Sequence, residues 1–448
     1  MPMYTRLLSP ADYGAQDILV QLAVFFTFLI NLEIYQGTCR HFYDRPTIEA
    51  KKKLISTGLW LTAFMGLIVM SLGLIFHTNL YAMFFDSGDY WLAFYLMLIW
   101  APISAFYTYL GVVMRYEKKP RLYFIITNVQ LVIRISASIV CVAFLKMGVA
   151  GVLLGHIIGE LSGMIMLSIV LWKYFSLSFS VPDMSQILKF SLPLVPAVLL
   201  ISFQKPLIRY LVANLLDISA MGFYTVAAQL ASILGFVHSG LRLSWHPHLF
   251  EMATKEGFEQ EVKRIFHFFV GITAFVATLI ILNGRLLVNI LTTDKYLAAI
   301  PLIGFVVITE MLEIIRQISG CGPVLVKKTI YNTYYEIAAS AAILIAFLTL
   351  YKVIGIIGLA VAFMFGALVK FLFSWILTKK MTEINFSMKS TYFVLGLLLT
   401  LSVFTALIKI PYIISIILSL LLVGYYLYRQ KDGMHKVLKF AHSRMIER

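Results

Sequence analysis

Two stretches of this chain resemble each other across a large separation. Residues 8–23 read LSPADYGAQDILVQLA, and residues 216–231 read LDISAMGFYTVAAQLA. At this offset of 208 residues, Gly14 matches Gly222 and the run Gln-Leu-Ala ends both stretches. Internal repeats indicate architecture before any local prediction is made. This pair predicts a chain built from two similar halves.

A second pair of stretches follows at nearly the same offset. Lys118-Lys119, an apolar block and then Gly148-Val149-Ala150-Gly151 are matched by Lys327-Lys328, an apolar block and Gly355-Ile356-Ile357-Gly358. One such match is easily obtained by chance in apolar sequence, but two in register are not. An even number of crossings separates the copies, so we expect a parallel repeat, a recurrent plan of secondary transporters.

The composition places both halves in a membrane. The 448 residues are 60% hydrophobic and 13% charged, and the mean hydropathy is +0.87. A bilayer core about 30 Å thick needs about 20 helical residues to cross. The sequence therefore predicts an all-α polytopic membrane protein with about 13 spanning helices, near 15–36, 54–77, 90–114, 121–146, 149–172, 186–212, 217–243, 262–283, 297–318, 331–351, 354–378, 391–409 and 411–428.

Positive residues accumulate in alternate loops. The loops after the first, third, seventh and eleventh predicted helices are rich in Lys and Arg, whereas residues 78–90 contain none. Cytoplasmic loops carry this excess, so we expect the N-terminus outside and the C-terminus in the cytoplasm. The net charge of +15 has the same source, and nucleic-acid binding is not expected.

The repeat also predicts the domain organisation. We expect a first bundle over residues 1–172, a second over 186–378, an additional helix pair over 391–428 and a basic cytoplasmic tail over 429–448. Helix 186–212 precedes the second copy, whereas only seven residues precede the first. The plan thus implies 14 helices, of which the first is missing here.

With these features the chain resembles the polysaccharide-transport family, the Wzx-like flippases of O-antigen and capsule precursors. They belong to the superfamily of the MATE exporters and the lipid II flippase. The resemblance rests on Leu8-Ser9-Pro10-Ala11-Asp12-Tyr13-Gly14 before a helix, the basic loop with Arg40, and Phe190-Ser191-Leu192-Pro193-Leu194-Val195-Pro196 opening the second half. It implies a multi-pass inner-membrane flippase, not an enzyme, that exports an undecaprenyl-diphosphate-linked oligosaccharide by alternating access.

The same resemblance implies the partners. They are a polyprenyl-diphosphate-linked glycan, membrane lipids and, as a further candidate, a polysaccharide polymerase or another assembly protein. No cofactor is implied.

Four cations fall well inside predicted helices, namely Arg134, Lys205, Arg209 and Lys370. An intramembrane charge is costly and is a functional candidate by default. Lys205 and Arg209 are four residues apart and share a helix face, beside Pro206. We predict that the four cations line a cavity and bind the diphosphate, Arg by paired hydrogen bonds and Lys as a point charge. Snorkelling or structural pairing is the alternative, and it is favoured for Arg209 and Lys370.

The buried acids Glu160, Glu310 and Glu313 are candidates for coupling to a cation or proton, Glu160 being the most central. Pairing with a buried cation is the commoner outcome for such groups. His246-Pro247-His248 invites a metal-site interpretation but lacks a third ligand. An interfacial turn anchored by Trp245 is favoured there.

Two other functions stay open. A multidrug exporter would share the fold, although a cationic cavity disfavours cationic drugs. A membrane polymerase or glycosyltransferase would need room for a sugar-handling site, whereas the predicted exterior loops are about a dozen residues or shorter.

Overall fold

The computed structural model describes residues 2–85, 90–117, 119–252, 257–326, 328, 330–382, 384–408 and 411–422. The described chain is helical. The longer helices are α1 (Pro10–Asn31), α2 (Ile34–Phe42), α3 (Ile48–Ile75), α4 (Trp91–Tyr116), α5 (Pro120–Ile139), α6 (Gly148–Val170), α7 (Val181–Ser191), α8 (Val195–Leu215), α9 (Ile218–Met252), α10 (Phe258–Leu282), α11 (Ile300–Ser319), α12 (Ile330–Ile354), α13 (Ile356–Met381), α14 (Lys389–Leu407) and α15 (Tyr412–Leu422).

Most of these helices are long and apolar enough to cross a bilayer. Eleven candidate spans occur among the described residues. The other two predicted spans correspond to α8 and to α15, and the predicted span 411–428 is described only to Leu422. The prediction of an all-α multi-pass membrane protein is confirmed. The predicted tail at 429–448 lies outside the described residues.

The chain divides into two compact units, residues 1–225 and 226–448, so the division falls within α9. In the first unit, α4 packs against α1, α3 and α6. There the buried Tyr109 hydroxyl donates to Thr38 Oγ1 and to the Ile55 carbonyl, each over 3.1 Å. In the second unit α11 is central and packs against α10, α13 and α14. The domain boundaries drawn from the repeat remain a prediction.

The two repeat copies begin their helices in the same way. Ser9 caps α1, because its Oγ accepts from the Asp12 amide over 3.1 Å. At the repeat-related position, Asp217 Oδ1 accepts from the Ala220 amide over 2.7 Å before α9. Side-chain acceptors at this position satisfy amides that have no partner within the helix. The repeat is therefore present in the structure as well as in the sequence.

The second pair of repeated stretches, around Gly148 and Gly355, is also matched in the structure. Gly148 and Gly355 both have positive φ, 55° and 54°, a region that glycine enters without a steric penalty. Three residues later, a Cβ on Gly151 would lie 3.0 Å from the Cys141 carbonyl carbon, and one on Gly358 would lie 3.0 Å from that of Leu350. Each unit thus contains the same close helix–helix turn.

The first predicted helix, 15–36, is interrupted, which the sequence did not predict. α1 ends at Asn31, and Leu32 and Glu33 adopt left-handed conformations with φ of 39° and 58° before α2 begins. Such conformations cost about 1–3 kcal/mol each and need support from the surroundings. Ser191 Oγ supplies part of it by donating to the Glu33 carbonyl over 2.9 Å. Leu and Glu are good helix formers, so their types gave no sign of the break.

The seventh predicted helix is longer than expected. We predicted an end near 243 and an interfacial turn at His246-Pro247-His248, but α9 continues through this segment to Met252. The predicted turn is therefore wrong. The side chains of His246 and His248 lie outside the described residues.

Loops of the first unit meet around Glu117, which directly follows α4. Tyr174 donates a hydrogen bond to its Oε1, and Lys173 Nζ lies 3.0 Å from Oε2. Partial burial raises the pKa of the carboxyl, but these two hydrogen bonds outweigh it and hold the pKa below the usual 4.5. Both loops are on the side predicted to be cytoplasmic.

A pH dependence of stability follows from this cluster. Because the folded pKa of Glu117 is lowered, its ionised form stabilises the fold above pH 4.5, and this is lost as pH falls through the folded value. We expect Glu117→Gln to lower the melting temperature near neutral pH, and the difference from wild type to shrink below pH 4.5. A difference that persists in acid would contradict this.

Candidate functional site

The centre of α8 carries the two cations predicted to share a helix face. Lys205 and Arg209 are one turn apart, with Pro206 between them. Arg209 is 7% exposed, and its Nε donates to Asp17 Oδ2 on α1 over 3.0 Å. Its Nη1 donates to the Lys205 carbonyl over 3.4 Å. The pairing favoured for Arg209 from the sequence is present, so Asp17 neutralises its charge.

Lys205 differs from Arg209 although it lies on the same face. It is exposed, and it makes no ion pair within 4.0 Å among the described side chains. Helix α8 corresponds to the predicted span 186–212, and a lysine inside a spanning helix is costly against hydrocarbon and normally faces a water-filled cavity or the bundle interior. This side chain is therefore available to an anion.

A second cluster joins α4, α5 and α6. Glu160 is 8% exposed, and its Oε2 accepts from the Trp100 indole Nε1 over 2.8 Å. One turn away, the His156 ring lies 4.4 Å from the Trp100 ring, and its buried Nδ1 has no partner among the described residues. Arg134 packs beside them, since a Cβ on Gly159 would lie 2.5 Å from the Arg134 Cβ.

The charges in this cluster are not joined into an ion pair. Neither Glu160 nor the half-buried Arg134 has an oppositely charged atom within 4.0 Å in the described part of the chain. The pairing expected for the buried acids is thus absent at Glu160, which is held by a neutral donor. A carboxylate in this setting can gain or lose a proton without leaving a partner cation unpaired.

The second unit contains an ion network. On α11, the Arg316 Nε donates to Glu313 Oε2 over 2.9 Å. Lys370 Nζ on α13 lies 3.1 Å from Glu313 Oε1 and 2.6 Å from Glu336 Oε1 on α12. Tyr335 adds its hydroxyl, which accepts from Arg316 Nη1 over 3.3 Å. Lys370 is therefore paired, the alternative favoured for it, and so is Glu313.

Glu310 lies one turn before Glu313 on α11 and is half-buried. It makes no ion pair with any residue that the structure describes. Three acids and two cations surround this place, so the network carries a net negative charge when all are ionised. Such a site suits a proton or a cation and disfavours a diphosphate.

Two charged residues of these sites were missed. Asp17 was not singled out because it lies near the start of its helix, although an acid inside an apolar block was a usable signal. Arg316 was not singled out because it lies in the last turn of its helix, and the structure also places it in the last turn of α11. Among the described residues, no three His, Cys, Asp or Glu side chains are grouped to hold a metal ion.

The comparisons with known proteins decide the family. Residues 3–239, just over half of the chain, match the family described as "Polysaccharide biosynthesis protein". The chain belongs to this family. The sequence predicted the Wzx-like polysaccharide-transport family, and that prediction is confirmed. A search of curated proteins gave no match.

Solved structures show the fold of this polysaccharide biosynthesis protein. The lipid II flippase MurJ, in an inward closed conformation, aligns with a TM-score of 0.72 at 12% identity over 97% of this chain and 96% of its own. An inward-facing multidrug resistance MATE transporter of the MOP superfamily gives 0.67 at 14% identity over 85% and 92%. The Vibrio cholerae MATE transporter VcmN, in its bent form, gives 0.55 at 15% identity over 82% and 86%. The predicted MATE-like fold is confirmed.

Proposed function

We propose that the protein is a flippase that moves an undecaprenyl-diphosphate-linked oligosaccharide from the cytoplasmic to the periplasmic leaflet of the inner membrane. The observation that carries the proposal is Lys205, an exposed cation without an ion-pair partner among the described residues, halfway along α8, which corresponds to a span predicted from the sequence. The membership in a polysaccharide biosynthesis family supports the substrate class. The similarity to MurJ and MATE transporters supports transport by the fold.

In this proposal the charged groups divide the work. Lys205 attracts the diphosphate, and Arg134 is a second anion ligand on α5. Arg209 and Lys370 are already paired, so we assign them to holding helices together instead of to binding the diphosphate. The periplasmic N-terminus and the cytoplasmic C-terminus are part of the proposal, as is a polymerase that receives the exported unit.

Coupling is assigned to the acids that have no ion-pair partner among the described residues. Glu160 is the first candidate because a neutral indole donor holds it, and Glu310 is the second. Glu313 is paired with Arg316 and Lys370, so its part in coupling is indirect: its negative charge acts on the neighbouring Glu310. Moving a charge across the membrane potential supplies about 2.3 kcal/mol per 100 mV.

Removing the charge of Lys205 tests the proposal. In a strain that depends on this gene, we expect Lys205→Gln to lower surface polysaccharide about tenfold, the effect of losing about 1.4 kcal/mol of anion attraction. Arg134→Gln should act in the same direction, and Lys205→Arg should retain most activity. Lys352→Gln changes an exposed lysine at the end of α12 and should leave polysaccharide unchanged.

Protein abundance in the membrane is measured beside the polysaccharide. Normal polysaccharide from Lys205→Gln at normal abundance would remove the anion site. The multidrug alternative predicts instead that drug resistance changes with these variants while polysaccharide does not. An enzyme of the pathway would leave a chemically altered lipid-linked glycan, whereas a failed flippase leaves the intact substrate in the cytoplasmic leaflet.

A further inference from the structure

Three glycines on α6 let the backbone of α5 come close to this helix. Gly155, Gly159 and Gly163 are spaced by four residues and lie on one face. A Cβ on Gly155 would meet Ser138, and a Cβ on Gly159 would lie 2.9 Å from the Cα of Arg134. Small residues at this spacing allow helix backbones to approach closely in a membrane. The stripe therefore fixes Arg134 against α6, beside the residue that follows Gly159.

That residue is Glu160, and the two opposite charges are near each other without being joined. The positive charge of Arg134 acts through space on both Glu160 and His156. Neither charged residue has an oppositely charged atom within 4.0 Å in the described part of the chain. Each charge is therefore free to respond to a ligand.

Two opposing influences act on the Glu160 carboxyl group. Burial favours the neutral form of a carboxyl group, whereas a nearby cation favours its ionised form. Glu160 is subject to both, since it is 8% exposed and Arg134 lies nearby. An anion bound to Arg134 would cancel the second influence and leave the first. Anion binding at Arg134 and protonation of Glu160 therefore favour each other, and linkage makes the effect reciprocal.

An acceptor for the neutral carboxyl group is present one turn before Glu160. An ionised carboxylate only accepts hydrogen bonds, as Glu160 Oε2 does from Trp100 Nε1, whereas a protonated one also donates. His156 is four residues before Glu160, so their Cβ atoms are about 5–6 Å apart. Its buried Nδ1 has no partner among the described residues, and it accepts when the ring proton is on Nε2. A protonated Glu160 would supply the missing partner.

The other titratable and charged groups near this pair belong to the elements that pack against α6. Tyr107 on α4 is beside Glu160 and is neutral near pH 7. The remaining groups are engaged elsewhere or lie near the ends of α6, namely Asp12 with Tyr90, Asp17 with Arg209, Lys173 with Glu117, and Cys141 against Gly151.

We propose that Glu160 takes up a proton when the diphosphate of the substrate binds Arg134, and that His156 Nδ1 accepts the hydrogen bond of the neutral carboxyl group. The inference rests on the proposed function for the identity of the anion, and it specifies the part that Glu160 has there. The proton comes from water and forms an O–H bond on the carboxylate, and no bond of the substrate breaks. His156 is a positioning residue in this step.

Calorimetry counts the proton. The full chain in phosphatidylcholine nanodiscs is titrated with geranyl-diphosphate-linked N-acetylglucosamine, a diester whose own charge is constant near neutral pH, in two buffers of different ionisation enthalpy. We expect uptake of up to one proton per ligand bound. The affinity should fall by up to tenfold per pH unit between the values at which Glu160 ionises in the free and in the bound protein.

The change Glu160→Gln keeps the neutral form of this side chain. It should bind the probe at every pH as tightly as wild type does in acid, and without proton uptake. Glu49→Gln is the matched control, since it makes the same change at an exposed acid on α3 and should leave the wild-type profile unchanged. Weaker binding by a folded Glu160→Gln, or binding by wild type without uptake, would overturn the proposal.

Lys205 is the alternative acceptor of the proton, because an anion also favours the charged form of a lysine. Uptake that persists in Glu160→Gln and disappears in Lys205→Gln would assign the proton to Lys205 and would equally overturn the proposal.

Variants of His156 test its part while Glu160 is intact. His156→Phe keeps a ring beside Trp100 but removes the acceptor, so the fall in affinity should move to lower pH by about one unit, the effect of one lost hydrogen bond. His156→Asn supplies a side-chain oxygen and should restore the wild-type profile. Identical profiles for wild type and His156→Phe would remove His156 from the step.

Failure of this inference is distinguishable from failure of the proposed function. Binding without proton uptake, together with a loss of surface polysaccharide in Lys205→Gln, would keep the flippase and remove the linkage. No binding of the probe by wild type at any pH would remove the anion site as well.

Discussion

Alanine in place of Gly14 is expected to destabilise the protein by about 3 kcal/mol, the upper end of the usual cost of overpacking. The new Cβ would lie 1.9 Å from the Ile218 carbonyl oxygen and 3.0 Å from the Gly222 amide nitrogen. Both neighbours are backbone atoms, so no flexible side chain can move aside. The helix starts of α1 and α9 must separate to admit the methyl group. The midpoint of thermal unfolding in detergent measures the effect.

The repeat-related glycine gives a second expectation of the same size. A Cβ on Gly222 would lie 2.0 Å from the Pro10 carbonyl oxygen, so Gly222→Ala should be as harmful as Gly14→Ala. Gly271 on α10 and Gly396 on α14 are the controls, because nothing lies within 4 Å of a Cβ there. Alanine at these sites should be neutral or stabilising by up to about 1 kcal/mol. Equal melting temperatures for all four variants would contradict the close approach.

The contact between Gly14 and Gly222 shows which features of the fold could be predicted from the sequence. The repeat predicted that Gly14 and Gly222 are equivalent, and the helix caps at Ser9 and Asp217 agree. That the two glycines also lie close together did not follow, because a repeat fixes equivalence and not proximity. Apolar block length predicted most spans, since crossing a bilayer demands a fixed number of helical residues.

The interruption at Leu32 and Glu33 was beyond sequence reasoning for a physical reason. Tertiary contacts overrule the helical preference of both residues, and one of those contacts comes from Ser191, far away in the chain. At Pro247 the error was the opposite one, because we predicted a helix end where the helix continues. Proline usually ends or kinks a helix, yet α9 continues through it.

The sequence predicted which charged residues belong to the candidate sites, but not which residues they pair with. Cations and acids inside apolar blocks were correctly recognised as unusual, but helical spacing cannot tell which of them meet across helices. Lys370 pairs with Glu336, and Arg209 pairs with Asp17. These partners are far apart in the sequence, so no local pattern predicts the pairs. Lys205 lies one turn from Arg209 on the same helix and is still without an ion-pair partner among the described residues.

The pair of Arg209 and Asp17 gives the other large expectation. Both side chains are mostly buried, at 9% and 12% exposure. Removing one partner leaves the other charge buried and unpaired, which costs about 3–5 kcal/mol. We therefore expect Arg209→Met and Asp17→Leu each to lower the melting temperature sharply. The double variant should recover most of the loss, because replacing both partners by apolar residues is close to neutral.

The double variant also separates structure from transport. Asp17 already neutralises Arg209, and the diphosphate is attracted by Lys205, so the double variant should restore surface polysaccharide together with stability. Lys205→Gln in the double-variant background should then lower polysaccharide about tenfold again, without further change in melting temperature. A double variant that is stable but inactive would show that Arg209 leaves Asp17 and contacts the substrate, because two apolar side chains can join α1 to α8 but cannot bind a diphosphate.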